Sequence, residues 1–573
     1  FRSTLLSWFV ISVFGWFAWP LLFPLARGLA DRGHALSRMA GWLLLGWLHW
    51  MGASLDLWTN SLPPLVLLLL FVVLVGRVAW AGQRREMAAF WRTRKHLILG
   101  QEALFAGAYL LFVLVRLLNP DLWHPWNGGE KFMDFAFLNA TLRSPVFPPY
   151  DPYFAGGTVN YYYFGLYLVG LPVRLTGIFA EVAYNLAVPS LFALAALGVF
   201  SVAYSLSAEP RQSARPGGSS AVSVAGGEVP AVGSSGPSPS PAGVGLLAVV
   251  VTLLLGNLTG LEWALNGLAA AMRGEGFPAF DYWAASRVIP FTINEFPLWT
   301  FTFADLHPHL ISMPFGLLVI GLSLDLLRSR SLRPWQWLVK ILVVALALGA
   351  LGAINTWDLP TYALLVLGAL LVAAWRATGS PGQRFRGLAV ALLVAAALIV
   401  LAVLAYRPFY ANYQPQVGDV GGNVVGRFLG WVRGASPMQP WLHVWGFFLF
   451  LSLSYVTAGL LSRRMVVEVR TGARDHGGRV WLLGVLLVIA VLAVLAALGR
   501  PTAALAALPL LLAVPLPLDR TAAPGRAFVG LLLILGLGVV AGTELVYLRD
   551  FLEGGFACLL PLRAARSSSL IKP

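Results

Sequence analysis

Apolar residues run through this chain in long unbroken blocks, separated by stretches where arginines, acids or prolines collect. Leu65 to Val75, Ile341 to Ala353 and Leu482 to Leu498 hold almost nothing polar. The runs do not alternate with a period of two, so they predict helices rather than barrel strands. A helix rises about 1.5 Å per residue and needs about 20 apolar residues to cross about 30 Å of hydrocarbon, which makes this an all-α, polytopic integral membrane protein of about 14–16 transmembrane helices. Candidate spans are 5–26, 40–58, 62–81, 97–118, 158–178, 182–206 and 243–271, then 309–327, 334–354, 359–375, 387–406, 441–461, 480–498, 502–517 and 527–546.

Composition agrees. Of 573 residues, 58% are hydrophobic and 11% charged, and mean hydropathy is +0.75, whereas soluble domains carry roughly 25% charged residues. The net charge of +15 would suggest nucleic acid in a soluble protein. Here the arginines cluster between apolar runs, where they orient helices, and nucleic acid is excluded as a partner. The single cysteine, Cys558, forms no internal disulfide. The first span does not read as a cleaved signal peptide, and a start at Phe1 reads as a trimmed N-terminus.

Charge then gives sidedness. Arg27, Arg32 and Arg38 flank the first loop, and Arg77, Arg84, Arg85, Arg92, Arg94 and Lys95 crowd the third. Later clusters are Arg328, Arg330 and Arg333; Arg376, Arg384 and Arg386; Arg463, Arg464, Arg470 and Arg474; and Arg520 with Arg526. Placing these on the cytoplasmic side of a plasma membrane puts loops 119–157, 272–308 and 407–440, and the turn Asn355 to Asp358, on the extracytoplasmic side. One parity conflict follows: three apolar segments lie between loops 119–157 and 272–308, where an even number of crossings is required. Either 243–271, interrupted at Gly256-Asn257, is a pair of short or re-entrant helices, or 158–178 does not fully cross. Residues 207–242, rich in Ser, Gly and Pro, bury too little to order themselves. They read as a flexible linker between an N-terminal block, 1–206, and a C-terminal block, 243–573.

Acids and histidines gather in two outer stretches. The first runs from Asp121 through His124, Glu130, Lys131, Asp134, Asn139, Arg143, Tyr150, Asp151 and Tyr153 to Asn160, Tyr161, Tyr162 and Tyr163. The second holds Asp281, Tyr282, Trp283, Ser286, Arg287, Asn294, Glu295, Asp305, His307 and His309. On a helix, Glu130 and Asp134 project from one face and can divide the roles of general base and substrate or cation holder; solvated acids balanced by Lys131 and Arg143 are the alternative. Asp305, His307 and His309 have the donor types for a divalent metal such as Mg or Mn, or they cap the helix beginning at Pro308. Three consecutive tyrosines exceed what an interfacial belt needs, and aromatics beside carboxylates favour a sugar ring. Asn355, Thr356, Trp357 and Asp358 cap a helix or form a third wall of the cleft.

These residues carry a resemblance. Glu130-Lys131-Phe132-Met133-Asp134, Pro149-Tyr150-Asp151-Pro152 and Asn160-Tyr161-Tyr162-Tyr163-Phe164-Gly165 closely resemble the YYY membrane-protein family, domain of unknown function 2298. Asp281-Tyr282-Trp283, Ser286-Arg287, Asn294-Glu295-Phe296-Pro297 and Asp305-Leu306-His307-Pro308-His309 match its second signature, Asn355-Thr356-Trp357-Asp358 a third, and Asp31-Arg32-Gly33 fits as well. The chain is more distantly similar to C-type (GT-C) glycosyltransferases, which use polyprenyl-phosphate sugar donors. That similarity implies an acidic motif in the first outer loop, where Glu130 and Asp134 stand, and a later outer acid, where Asp305 stands; their adjacent acid pair is absent here. After Glu544 and Tyr547 the C-terminal sequence departs from the YYY pattern and reads as truncated.

The function expected is therefore glycosyl transfer from a lipid-phosphate-linked sugar at the outer face, among membrane lipids. Glu130 or Asp134 would be catalytic, and Asp305, His307 and His309 would hold metal or phosphate. Lys131, Arg143, Asp151, Asn160, Tyr161, Tyr162, Tyr163, Arg287, Asn294, Glu295, Trp357 and Asp358 would bind substrate, with Arg143 or Arg287 offsetting phosphate charge. A transporter or flippase for a polar lipid is the rival; it needs ionisable groups within helices, yet Glu102, Glu262 and Asp325 lie near ends. A non-catalytic assembly protein would leave the acidic loops unexplained.

Overall fold

The computed structural model describes residues 1–124, 129–208, 239–329, 332–377, 379–414, 429–460 and 477–548, with the dipeptide strands 223–224 and 227–228. Most of the linker, Arg330, Arg463, Arg464, Arg470, Arg474 and the C-terminal stretch containing Cys558 lie outside the described residues. The chain is almost wholly helical: α1 (Arg2–Leu22), α2 (Ser37–Ser54), α3 (Leu62–Leu118), α4 (Lys131–Arg143), α5 (Tyr163–Thr176), α6 (Ala180–Ser207) and α7 (Pro241–Val249) come first. There follow α8 (Thr259–Met272), α9 (Pro297–Phe303), α10 (Pro308–Arg328), α11 (Pro334–Ile354), α12 (Asp358–Arg376), α13 (Pro381–Ala405), α14 (Met438–Leu460), α15 (Gly477–Ala497), α16 (Pro501–Ala513) and α17 (Pro524–Thr543). Proline at the first helical turn opens α3, α10, α11, α13 and α16, where its missing N–H costs nothing.

Among the described residues ten helices are long and apolar enough to cross a membrane, or eleven if the broken pair 241–272 is one span. The sequence suggested about 14–16 crossings by apolar length, and the difference has identifiable sources. The runs at 62–81 and 97–118 form one 57-residue helix, α3, kinked at Gln83; at about 1.5 Å per residue it is long enough to pass twice. Helix α15 is 21 residues long, but only Gly484–Ala497 of it enters that count, too short to qualify. The other two sources are α2, 18 residues long and not among the ten, and α5.

The helices group into two compact units, residues 1–252, 306–408 and 519–528 in the first and 253–305, 409–518 and 529–573 in the second. In the first unit α6 is the central element: 94% of its most apolar stretch is buried, against 17% for α3. At its C-terminal end Ser201 donates to Asp31 at 2.8 Å and Ser205 accepts from Ala30 N at 3.1 Å. At its other end Asn185 accepts from Arg116 at 2.6 Å and donates to the Pro120 carbonyl at 3.1 Å. So α6 joins the loop bearing Arg27 and Arg32 to the loop that opens at Pro120, and it crosses.

Helix α5 does not. Its 14 residues rise about 21 Å, short of the hydrocarbon thickness. Gly177, at φ 66°, takes the left-handed C-cap position, and its N–H bonds back to the Val173 carbonyl. Arg174 near that end donates to the Leu142 carbonyl at 2.8 Å, beside the Thr141 and Ser144 carbonyls held by Asn60 at 2.8 Å. Both ends of α5 thus lie with the acidic loop, and the expected span at 158–178 is corrected to a non-crossing helix. Its run is apolar because nearly all of it is buried in protein, which periodicity cannot tell from lipid contact. Of the three apolar segments between the two loops, α6 is the one long enough to cross unbroken, and 241–272 is broken between Leu254 and Thr259 with a bend of 84°.

The arginine-bearing side of the first unit is fastened by two buried carboxylates. Asp31 accepts from Gly33 N (3.0 Å), Ala35 N (3.2 Å), Gln101 (2.8 Å) and Ser201 (2.8 Å). Arg32 and Gly33 adopt positive φ of 52° and 77° to make that wrap, and glycine meets the requirement without a Cβ clash. Asp325 accepts from Gly28 N at 2.5 Å and is ion-paired with Lys340, which also donates to Ser329 at 2.6 Å. Glu102 pairs with Arg38 (2.5 Å) and His34 (3.1 Å).

In the second unit Ile289, Trp441 and Ala506 form one core cluster, and Val456, Ala513 and Leu516 another. Two short strands, Leu429–Trp431 and Val546–Leu548, pair antiparallel. The buried Glu544 ties this unit together, accepting from Ser436 N (3.1 Å), Ser436 Oγ (2.8 Å) and Thr502 (2.6 Å).

Candidate functional site

The two acids of the loop 119–157 expected to be catalytic lie at the start of α4. Glu130 is its N-cap residue, and the Asp134 N–H closes the first turn on the Glu130 carbonyl at 2.9 Å. Acids at this end complement the helix dipole, which is a local reason for a helix starting at Lys131. The two carboxylates differ: Asp134 is fully buried while the Glu130 side chain is about half exposed.

Helix α10 supplies the histidines. His307 is its extended N-cap residue and Pro308 its first, and the preceding Leu306 N–H donates to the Tyr184 hydroxyl of α6 at 3.0 Å. That docking aims His307 at α4. Its Nε2 lies 2.9 Å from Glu130 Oε2 and 3.2 Å from the Tyr161 hydroxyl. On the other edge of the ring, His307 Nδ1 is 2.9 Å from His309 Nδ1; one imidazole must donate there and the other accept. Asp358 lies near His309, Ser312 and Asn355, and the Ser312 hydroxyl donates to the His309 carbonyl at 3.0 Å. Asn355 caps α11 through its N–H to the Leu351 carbonyl, and Asp358 is the first residue of α12.

Aromatic rings surround this line of polar groups. Phe137 packs on Tyr161 (5.5 Å between centroids) and Tyr153 (5.9 Å), and Tyr161 on Tyr162 (5.1 Å). Tyr153 remains exposed; desolvation first, then the Asp134 and Asp151 carboxylates, push its phenol above the ordinary value. Tyr163 differs from its two neighbours. It is buried and stacks on Phe147 at 5.8 Å, so the first two tyrosines of the triplet are half-buried and the third is core.

Other expected residues sit elsewhere. Lys131 is buried in the first turn of α4, and Asn160 is exposed just before the triplet. Arg143 stands at the far end of α4, about 20 Å along the axis from Glu130, too far to serve the same reacting atoms. Asp151 shapes its own loop, accepting from Tyr153 N at 2.8 Å while its N–H meets the Gly157 carbonyl at 3.0 Å. Trp357 is partly exposed at the start of α12. Ser312, which the sequence reading passed over, lies one turn after His309 on α10; that spacing was the available signal.

The second signature builds the second unit. Asp281 accepts from Trp283 N (2.9 Å) and Ala284 N (3.1 Å), Arg287 donates to Ser286 O (3.0 Å) and Oγ (2.9 Å), and Asn294 accepts from Ile289 N (2.9 Å). Glu295 accepts from Thr300 at 3.2 Å. Tyr282 stacks on Trp299 at 5.2 Å, and burial raises its phenol well above the usual range. Asp305 is buried at the end of this unit, while His307 and His309 belong to the first. Among the described residues no group of three or more His, Cys, Asp or Glu side chains converges as metal ligands would.

Comparison with known proteins matches residues 44–556 to the family described as Uncharacterized membrane protein (DUF2298). No curated protein and no solved structure matches the chain.

Proposed function

The chain belongs to this family of uncharacterized membrane proteins, so its activity is argued from its own site: we propose a C-type membrane glycosyltransferase that takes a sugar from a lipid phosphate on the extracytoplasmic face. The observation that carries the reading is the contact of Glu130 with His307 at 2.9 Å, which joins the acidic loop to the His-Pro-His turn beneath exposed aromatic rings. A half-exposed carboxylate backed by an imidazole suits a general base. In this reading Glu130 takes the proton of the acceptor hydroxyl, whose oxygen forms a bond to the anomeric carbon. The bond from that carbon to the phosphate oxygen breaks, and the lipid phosphate leaves with its electron pair. Tyr153, Tyr161 and Tyr162 offer the sugar faces and hydroxyl contacts. The imidazoles are engaged with Glu130, Tyr161 and each other, so no step is routed through a metal.

The rival, a transporter, is favoured less. Asp325, Glu102 and Glu262 are each paired with a cation or histidine, Lys340, Arg38 with His34, and His443 respectively, rather than lining a pathway. The test is incubation of purified protein with a panel of polyprenyl-phosphate sugars and mass spectrometric detection of released polyprenyl phosphate. Release above the no-enzyme rate with at least one donor is expected. Folded protein that releases none, but moves a labelled polar lipid between vesicle leaflets, would overturn the proposal for the rival.

A further inference from the structure

The stretch between the two apolar halves of α3 stays helical, and that changes what its cations can do. At about 100° per residue, Arg84, Arg85, Arg92 and Lys95 fall within about 100° of one another. The buried residues Met87, Leu97, Ile98 and Gln101 fall on the opposite side, where the fifth cation of the stretch, Arg94, is also exposed. All four cations are exposed, and among the described residues none forms an ion pair; the one acid of the stretch, Glu86, is turned to Arg32 at 3.4 Å. The stripe is about 16 Å long, with the exposed Trp91 within it and Trp80, under the Arg77 guanidinium at 5.0 Å, just before it. Other arginines of this side are engaged with the protein: Arg328 with the Gly28 and Ser205 carbonyls, Arg376 with those of Asp519 and Ala522, and Arg520 with that of Ala377.

Orientation in the bilayer requires only an excess of cations on one side; it does not require them unpaired on one helix face. We propose that this face of α3 is a binding surface for anionic phospholipid headgroups. The apolar runs on both sides hold it at the edge of the hydrocarbon, where headgroup phosphates lie. Guanidinium matches phosphate oxygens in pairs, and tryptophan favours the same layer. Cations near an anionic surface add attraction one by one, so four on one face discriminate strongly between charged and zwitterionic lipid.

The test uses the full chain purified in detergent, with native mass spectrometry counting bound phosphatidylglycerol and phosphatidylcholine offered together. Wild type is expected to prefer phosphatidylglycerol by roughly tenfold or more at low salt, the preference falling as salt rises. R84Q/R85Q/R92Q/K95Q is expected to lose the preference, while R84K/R85K/R92K and the control R384Q/R386Q keep it. A quadruple variant that keeps the preference overturns the proposal, as does a control that loses it equally. Full displacement of the lipid by inorganic phosphate at matched ionic strength points to a free-anion site and also overturns it. Should the quadruple variant fail to fold, the wild-type salt series decides: a salt-independent preference, or none, contradicts the proposal.

Discussion

Glu130→Gln is expected to lower the rate of sugar transfer by about 10²–10⁴-fold, the range over which positioned general bases act, with KM changed little. The amide keeps the shape and can still meet His307 but accepts no proton. Glu130 is chosen over Asp134 because its side chain is half exposed and touches His307, whereas Asp134 is fully buried and better placed to hold α4 than to meet an acceptor. Asp134→Asn is expected to cost stability as well as rate, and a melting curve separates the two. Single-turnover transfer from the donor identified in the panel is the assay; a Glu130→Gln protein transferring at the wild-type rate would remove Glu130 from the chemistry.

Lys340→Met is expected to be the most damaging single change away from the cleft, at about 3–5 kcal/mol of unfolding free energy. Lys340 and Asp325 are both almost fully buried, and removing the cation leaves a carboxylate whose remaining partners are Gly28 N and Ser329 neighbours rather than a charge. Because desolvating two charges already consumes much of their attraction, Asp325→Leu with Lys340→Met is expected to recover most of the loss. Denaturant unfolding in detergent micelles reads both. If the double variant is as unstable as the single one, the pair contributes through its specific geometry, and the unpaired-charge argument fails.

How much of this was legible in the sequence depended on whether the signal was local. Apolar length and arginine placement found the spans, because the bilayer imposes them residue by residue. The shared face of Glu130 and Asp134 was conditional on a helix, which the structure forms as α4; the tyrosine triplet and His-Pro-His stood out in the sequence by residue type alone. What the sequence could not supply was partnership. A buried helix and a lipid-facing one are equally apolar, so α5 read as a span. Nothing local tells Tyr163, stacked on Phe147, from Tyr161, which reaches His307 across 146 positions. Nor does spacing show that Arg143 points from the far end of its helix, or that Asp281 and Asn294 close turns of their own loop. The basic face of α3 was hidden for a different reason: its four cations converge only if the loop between two spans is itself a helix.

The central claim is that the acidic loop and the His-Pro-His turn form one cleft, and proximity in native membranes tests it without assuming any activity. In a Cys558→Ser background, Glu130→Cys with His307→Cys is expected to be joined efficiently by a short thiol cross-linker, since the native side chains meet at 2.9 Å. Arg143→Cys with His307→Cys is expected to remain unjoined, Arg143 being about 20 Å farther along α4 than Glu130. Cross-linking of the second pair and not the first would contradict the arrangement on which the account rests.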